Sequence, residues 1–206
     1  MNDSCCGQQL DVAALHSRQR RVLIIVLAIN AATFFMMIAA ATMSGSSSLL
    51  SGALDNFGDA LTYAVSLMVV GASGAAKARV ALLKGFLILG AALAVALQIG
   101  WRIRHPETPV FETMGAAALL NLGANLVCLR LLTPYRGGDV NMSSAWECSR
   151  NDVSEGIAVL AAALAVWMFG AGWPDLLIAV GLLVLFLRSS FRVVGGAWIG
   201  MRSAGG

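Results

Sequence analysis

Six apolar runs of about 20 residues each, at 21–43, 50–72, 80–101, 110–132, 144–169 and 174–191, leave this 206-residue chain little choice of solvent. Each has the length that an α-helix needs to cross the hydrocarbon of a bilayer, where the backbone must satisfy its own hydrogen bonds. The runs therefore predict an all-α integral membrane protein with six transmembrane helices. Hydrophobic residues make up 58% of the chain, charged residues only 12%, and the mean hydropathy is +0.78, which excludes a soluble globular domain. The remainder is a polar, mobile N-terminal leader over 1–20 and a short cytoplasmic tail over 201–206, flanking a transport-sized membrane domain over 21–200. Whatever the protein does, its helices are expected to do it. The first run is too long for a signal-peptide core and ends in Thr42-Met-Ser-Gly45 without a convincing cleavage site, so it is expected to remain as a helix.

Basic residues orient the bundle. Of the 14 Lys and Arg, only Arg102 and Arg104 fall on the outer side when the N-terminus is placed in the cytoplasm. This predicts a multi-pass protein of the cell inner (plasma) membrane with both termini cytoplasmic. The net charge of +3 thus reflects topology and indicates no nucleic-acid partner. Cys5 and Cys6 are adjacent in the leader, while Cys128 and Cys148 belong to different helices, so no disulfide framework is expected. Ser44-Gly-Ser-Ser-Ser48 reads as a tight outer hairpin, Pro106 and Pro109 delay the fourth helix until after them, and Thr133 to Asn141 reads as an inner loop.

Two polar motifs interrupt this apolar background. Asp55-Asn-Phe-Gly-Asp59 lies in the second run and Cys148-Ser-Arg-Asn-Asp152 at the start of the fifth. Spacing of i and i+4 puts both side chains of a pair on one helix face, one turn apart, where they can grip a common ion. A carboxylate at the bilayer centre costs roughly 2.5 to 3.5 kcal/mol, so Asp55, Asp59 and Asp152 together demand a cation or protons. By helix rise, Asp59 lies roughly 20 Å from the inner end of its helix and Asp152 roughly 12 to 16 Å, depths that let the motifs face each other. Three carboxylates and a thiolate suit a borderline or soft divalent ion such as zinc or cadmium, and mercury also favours sulfur.

These motifs, with the Ser44 to Asp55 turn and the small-residue run Gly156-Ile-Ala-Val-Leu-Ala-Ala-Ala, resemble the transmembrane domain of the cation diffusion facilitator family of divalent metal/proton antiporters. The resemblance covers about residues 20 to 200. It implies six spans with cytoplasmic termini, a homodimer, and a four-ligand metal site formed by Asp55, Asp59, Cys148 and Asp152. It implies no permanent cofactor and no enzymatic activity: the divalent ion is the transported substrate, and protons and the lipid bilayer are the other partners. Metal binding displaces protons from such acids, so binding and deprotonation are linked, and an inward proton gradient would drive efflux.

Three features depart from the family pattern. Cys148 stands where His or Asp is usual, which shifts the preference toward soft ions. Gly71-Ala-Ser-Gly-Ala-Ala-Lys77 replaces a glycine- and histidine-containing inner loop. The usual cytoplasmic metal-binding domain is not expected, so the chain is expected to resemble a minimal member whose dimer contacts come from helices or leader. An alternative reading of the same residues is a membrane metal sensor or scaffold that binds without flux. An intramembrane zinc enzyme lacks an obvious general base.

Other polar residues have plainer readings. Glu155, one turn from Asp152, is a proton-relay candidate or the partner of a basic side chain. Asn30 and Asn151 are read as interhelical hydrogen-bonding groups and Cys128 as core. Glu112 is read as a solvated helix-start acid, and Cys5, Cys6 and His16 as either metal capture or incidental tail residues.

Overall fold

The computed structural model describes the backbone of residues 4–68, 74–137 and 140–204, and the side chains of 17–64, 67, 86, 87, 89–137, 142 and 145–188. Six helices account for nearly all of it: α1 (Ser4–Ser44), α2 (Ser47–Met68), α3 (Gly74–Arg104), α4 (Phe111–Leu132), α5 (Val140–Phe169) and α6 (Trp173–Ala204). Five of the six expected spans fall inside one of them to within a residue, and the second, 50–72, follows α2 as far as Met68, beyond which it lies outside the described residues. The helices outrun the apolar segments because hydropathy marks only the part in lipid, whereas Ala, Leu, Lys and Arg at the flanks keep the backbone helical.

The leader departs most from expectation. Instead of a loose segment, it forms the first turns of α1, whose 41 residues extend roughly 60 Å, twice the hydrocarbon thickness. The expected inner loop is also shorter, since Thr133–Tyr135 forms a 3-10 turn and α5 already starts at Val140. The departing segment between α2 and α3 lies partly outside the described residues, as do the side chains of Cys5, Cys6 and His16. Among the described residues, three stretches are by themselves long and apolar enough to cross a membrane: Ser17–Ser44, Phe111–Tyr135 and Ala145–Phe169. α2 has the length, at 22 residues, but turns Ser47, Ser48, Ser51, Asn56 and Asp59 into the bundle.

Three turns meet at one end of the bundle, here the hairpin end; both termini lie at the other. α1 and α5 each stop at a glycine in the left-handed region, Gly45 (φ 72°) and Gly170 (φ 60°), a conformation that L side chains resist. The Gly45 and Gly170 N–H groups donate to Ala41 O and Val166 O, both at 2.9 Å, satisfying otherwise orphaned helix-end carbonyls. Val110 N–H donates to Ser44 O at 2.9 Å, tying the α3–α4 loop to the α1–α2 turn. Any side chain at Gly172 would collide with Glu107 O, so the α5–α6 turn also packs on that loop.

α1, α2, α4 and α5 form a four-helix core, and the α3–α6 pair packs mainly against α2. Two apolar clusters divide the core. At the hairpin end Met37, Leu49, Ala53, Met114, Ala117 and Val159 pack together. At the termini end Val26, Tyr63, Cys128, Leu132, Met142 and Ala145 do so. Small residues bring the backbones close: a Cβ on Gly156 would sit 3.2 Å from the Leu122 side chain. Outward-facing Phe35, Leu97 and Leu164 suit lipid, and exposed Trp101, Trp167 and Trp173 near the hairpin end form an interfacial aromatic belt.

Candidate functional site

Between the two apolar clusters lies a polar layer. Asp55 and Asp59 project from α2 and Asp152 from α5; Asp59 and Asp152 are only 8% and 4% exposed, and Asp55 is half-buried. The helical spacing that puts the two α2 acids on one face aims both at α5. The Asp152 carboxyl lies within hydrogen-bonding reach of both Asp55 and Asp59. Two carboxyls at such a distance share a hydrogen bond only when one of them carries a proton. Glu155 interacts electrostatically with Asp55 and Asp59, which places it at the same layer.

Amides and hydroxyls surround the acids. Asn56 Nδ2 donates to Asn121 Oδ1 at 2.8 Å, joining α2 to α4. Asn125 Nδ2 donates to the backbone oxygen of Asp152 at 3.4 Å, and Tyr63 Oη donates to Asp59 Oδ2 at 3.2 Å. The side-chain oxygens of Asn125, Asn30 and Ser149 are buried without a hydrogen-bond partner. The expected interhelical role of two asparagines does not hold. Asn30 Nδ2 donates within its own helix, to Val26 O at 3.0 Å, and Asn151 is exposed. Asn56 and Asn121 fill that role instead, because they face the interior at matching depth.

Cys148 stands one turn before Asp152 on α5, half-buried, within electrostatic reach of Asp152 and Tyr63. Neither it nor Cys128 forms a disulfide, and Cys128 is a core residue. Among the described residues, no group of three or more His, Cys, Asp or Glu side chains stands at metal-holding spacing. Zinc ligands must converge to about 2.0 to 2.3 Å from one point, whereas these carboxyls turn toward each other. Glu112 is exposed in the first turn of α4, as a helix-start acid should be.

Sequence reasoning passed over Tyr63, Asn121, Asn125 and Ser149. All carry polar atoms in apolar segments, which is the one signal that marks them. It also passed over Asp175, a second kind of buried acid. Asp175 is 1% exposed in the first turn of α6, and it caps α2 from across the hairpin end. Its Oδ1 accepts from Ser46 Oγ at 2.6 Å, Ser48 Oγ at 2.6 Å and Ser48 N–H at 3.0 Å, while Oδ2 accepts from Ser47 N–H at 2.7 Å. The first N–H groups of α2 have no intrahelical acceptor, and a carboxylate there is further favoured by the helix dipole. Beside this contact an open pocket of about 290 Å³ is lined by Arg102, Glu107, Trp173 and Asp175 among others.

Comparison with known proteins agrees with this architecture. The sequence profile of the cation efflux transmembrane domain matches residues 23–195, which takes in part or all of each of the six helices and the whole acid layer. The chain is also 29% identical over 115 residues to the metal cation efflux system protein CzcD of Cupriavidus metallidurans, covering 52% of this chain and 36% of that protein. The cation efflux system protein CzcD of Alcaligenes sp. matches with the same identity and coverage. The chain thus spans about a third of the length of these curated relatives. With the profile running the length of the bundle, the chain belongs to the cation efflux family, the cation diffusion facilitators.

Proposed function

We propose that this chain exports divalent transition-metal cations from the cytoplasm in exchange for protons, working as a homodimer, with Asp55, Asp59, Cys148 and Asp152 as the ligands of the transported ion. The observation that carries the reading is the acid layer: carboxyls from two helices, gathered mid-bundle between apolar clusters, within hydrogen-bonding reach of one another. Such groups are stable in a membrane either when they share protons or when they hold a cation, and a transporter alternates between the two. Ligation requires the carboxyls to rotate away from each other toward the ion, with the Cys148 thiol turning in from one helical turn away. Membership of a transporter family and the names of the CzcD relatives support metal efflux over chemistry on a bound substrate. The thiol favours zinc or cadmium over harder ions. The excess of Lys and Arg supports assigning the termini end to the cytoplasm.

Zinc flux into proteoliposomes containing a metal-sensitive dye, under an imposed pH gradient, tests this reading. Flux is expected to require the gradient and to vanish in Asp152→Ala, while Cys148→Ser changes the ratio of zinc to cadmium transport. Saturable zinc binding with no flux in the unmodified protein would overturn transport and favour a sensor.

A further inference from the structure

Tyr63 stands one helical turn from Asp59, on the side of the termini, about 6 Å along the α2 axis. It is 1% exposed and belongs to the apolar cluster to which α1, α2, α4 and α5 all contribute. Among the described residues, that cluster lies on the termini side of the acid layer. The ring fits it as an apolar body, but the hydroxyl is a polar group that a phenylalanine would not need to satisfy. It has two acceptors in reach, Asp59 Oδ2 at 3.2 Å and the backbone oxygen of Ala145, on α5, at 3.5 Å. A phenol has a single proton to donate, so it serves one acceptor fully at a time.

We propose that Tyr63 is a positioning residue that closes the termini-end approach to the acid layer, its hydroxyl passing between Asp59 and the α5 backbone according to what Asp59 holds. With no ion on Asp59, the hydroxyl donates to it, as in this structure, and braces the ring across the approach. With Asp59 committed to an ion, the hydroxyl turns to Ala145 O, so the contact between α2 and α5 below the site changes with site occupancy. The two arrangements differ by one hydrogen bond to a charged acceptor, which gives the closure a modest and reversible bias. This inference rests on the proposed function for its purpose, but the closure itself is readable without transport.

The test uses Cys148 as a reporter inside the layer, in a full-length Cys5→Ser, Cys6→Ser, Cys128→Ser background that leaves it as the one thiol. A membrane-impermeant maleimide is applied to proteoliposomes from each side in turn. Tyr63→Phe keeps the ring and removes only the hydroxyl. It is expected to raise the labelling rate from the termini side roughly tenfold, the weight of one charge-assisted hydrogen bond, with no change from the hairpin side. In an Asp59→Asn background the same substitution is expected to add little, since the charged acceptor is already gone. Equal labelling of Tyr63→Phe and its parent overturns the proposal, as does a rise from both sides, which would mark general loosening. Additive effects of Tyr63→Phe and Asp59→Asn overturn the link to Asp59. Zinc flux is measured on the same vesicles. If the parent moves no zinc yet labels as expected, transport fails and the closure stands; if it moves zinc and Tyr63→Phe labels unchanged, the closure alone fails.

Discussion

Asp175 and the acids of the central layer are both buried carboxyls, and their surroundings are opposite. Asp175 is met by two backbone N–H groups and two serine hydroxyls, all donors, at 2.6 to 3.0 Å. Asp152 instead is within reach of Asp55 and Asp59, so acids face acids. A carboxylate that is fully hydrogen-bonded by the fold is part of its structure. Carboxyls that crowd one another are incomplete until a proton or a cation joins them, and that incompleteness suits them to bind and release.

Substitutions can break or sharpen this contrast. The largest effect is expected at the central layer. Asp59→Ala should reduce zinc flux at least by the roughly 100-fold that loss of an outer-shell partner alone can cost, with thermal stability in detergent unchanged or raised. A large drop in stability there would erase the distinction. Asp175→Ala should do the reverse. It strands the Ser47 and Ser48 N–H groups at the start of α2 and lowers unfolding stability by about 2 to 4 kcal/mol, with flux per folded molecule near that of the unmodified protein. Gly172→Ala should follow, since its Cβ would strike Glu107 O and force the α5–α6 turn to shift, at about 1 to 3 kcal/mol in thermal unfolding.

A smaller effect is expected at the amide pair. Asn121→Leu leaves Asn56 without its partner and should cost about 1 kcal/mol, partly recovered when Asn56→Leu is added, as a double-mutant cycle would read. The smallest should come from Arg102→Gln. Its ion pair with Glu107 is 2.6 Å long, but Glu107 is 74% exposed, so the change should stay within about 1 kcal/mol and shrink further at high salt.

The legible part of the site was the part written in local spacing. Asp55 and Asp59 announce themselves as acids in an apolar run at helical separation, and Asp152 does so in the next such motif. Tyr63 and Asn121 were not legible. A tyrosine or asparagine in a membrane helix has many uses, and its partner is fixed only when another helix arrives at the same depth. Asn56 meets Asn121 across 65 residues of sequence, and Tyr63 meets Ala145 across 82. Asp175 was overlooked for the same reason, since its donors lie 127 to 129 residues earlier. The expected mobility of the leader failed differently: polarity does not imply looseness where Gln, Leu, Ala and Arg between Gln8 and Arg20 continue directly into α1.

By itself, the sequence determined the solvent, the helices and the candidate chemistry. Apolar runs of bilayer length admit little besides spanning helices, and acids within them require compensation whatever the packing. Only the tertiary structure decided which acids meet. It gathered Asp55, Asp59 and Asp152 between two apolar clusters, gave Asp175 to the start of α2, and set Tyr63 beneath the layer. Helical periodicity fixes the face on which a side chain stands, but its partner depends on the depth and rotation at which the helices pack, and the bundle as a whole sets these.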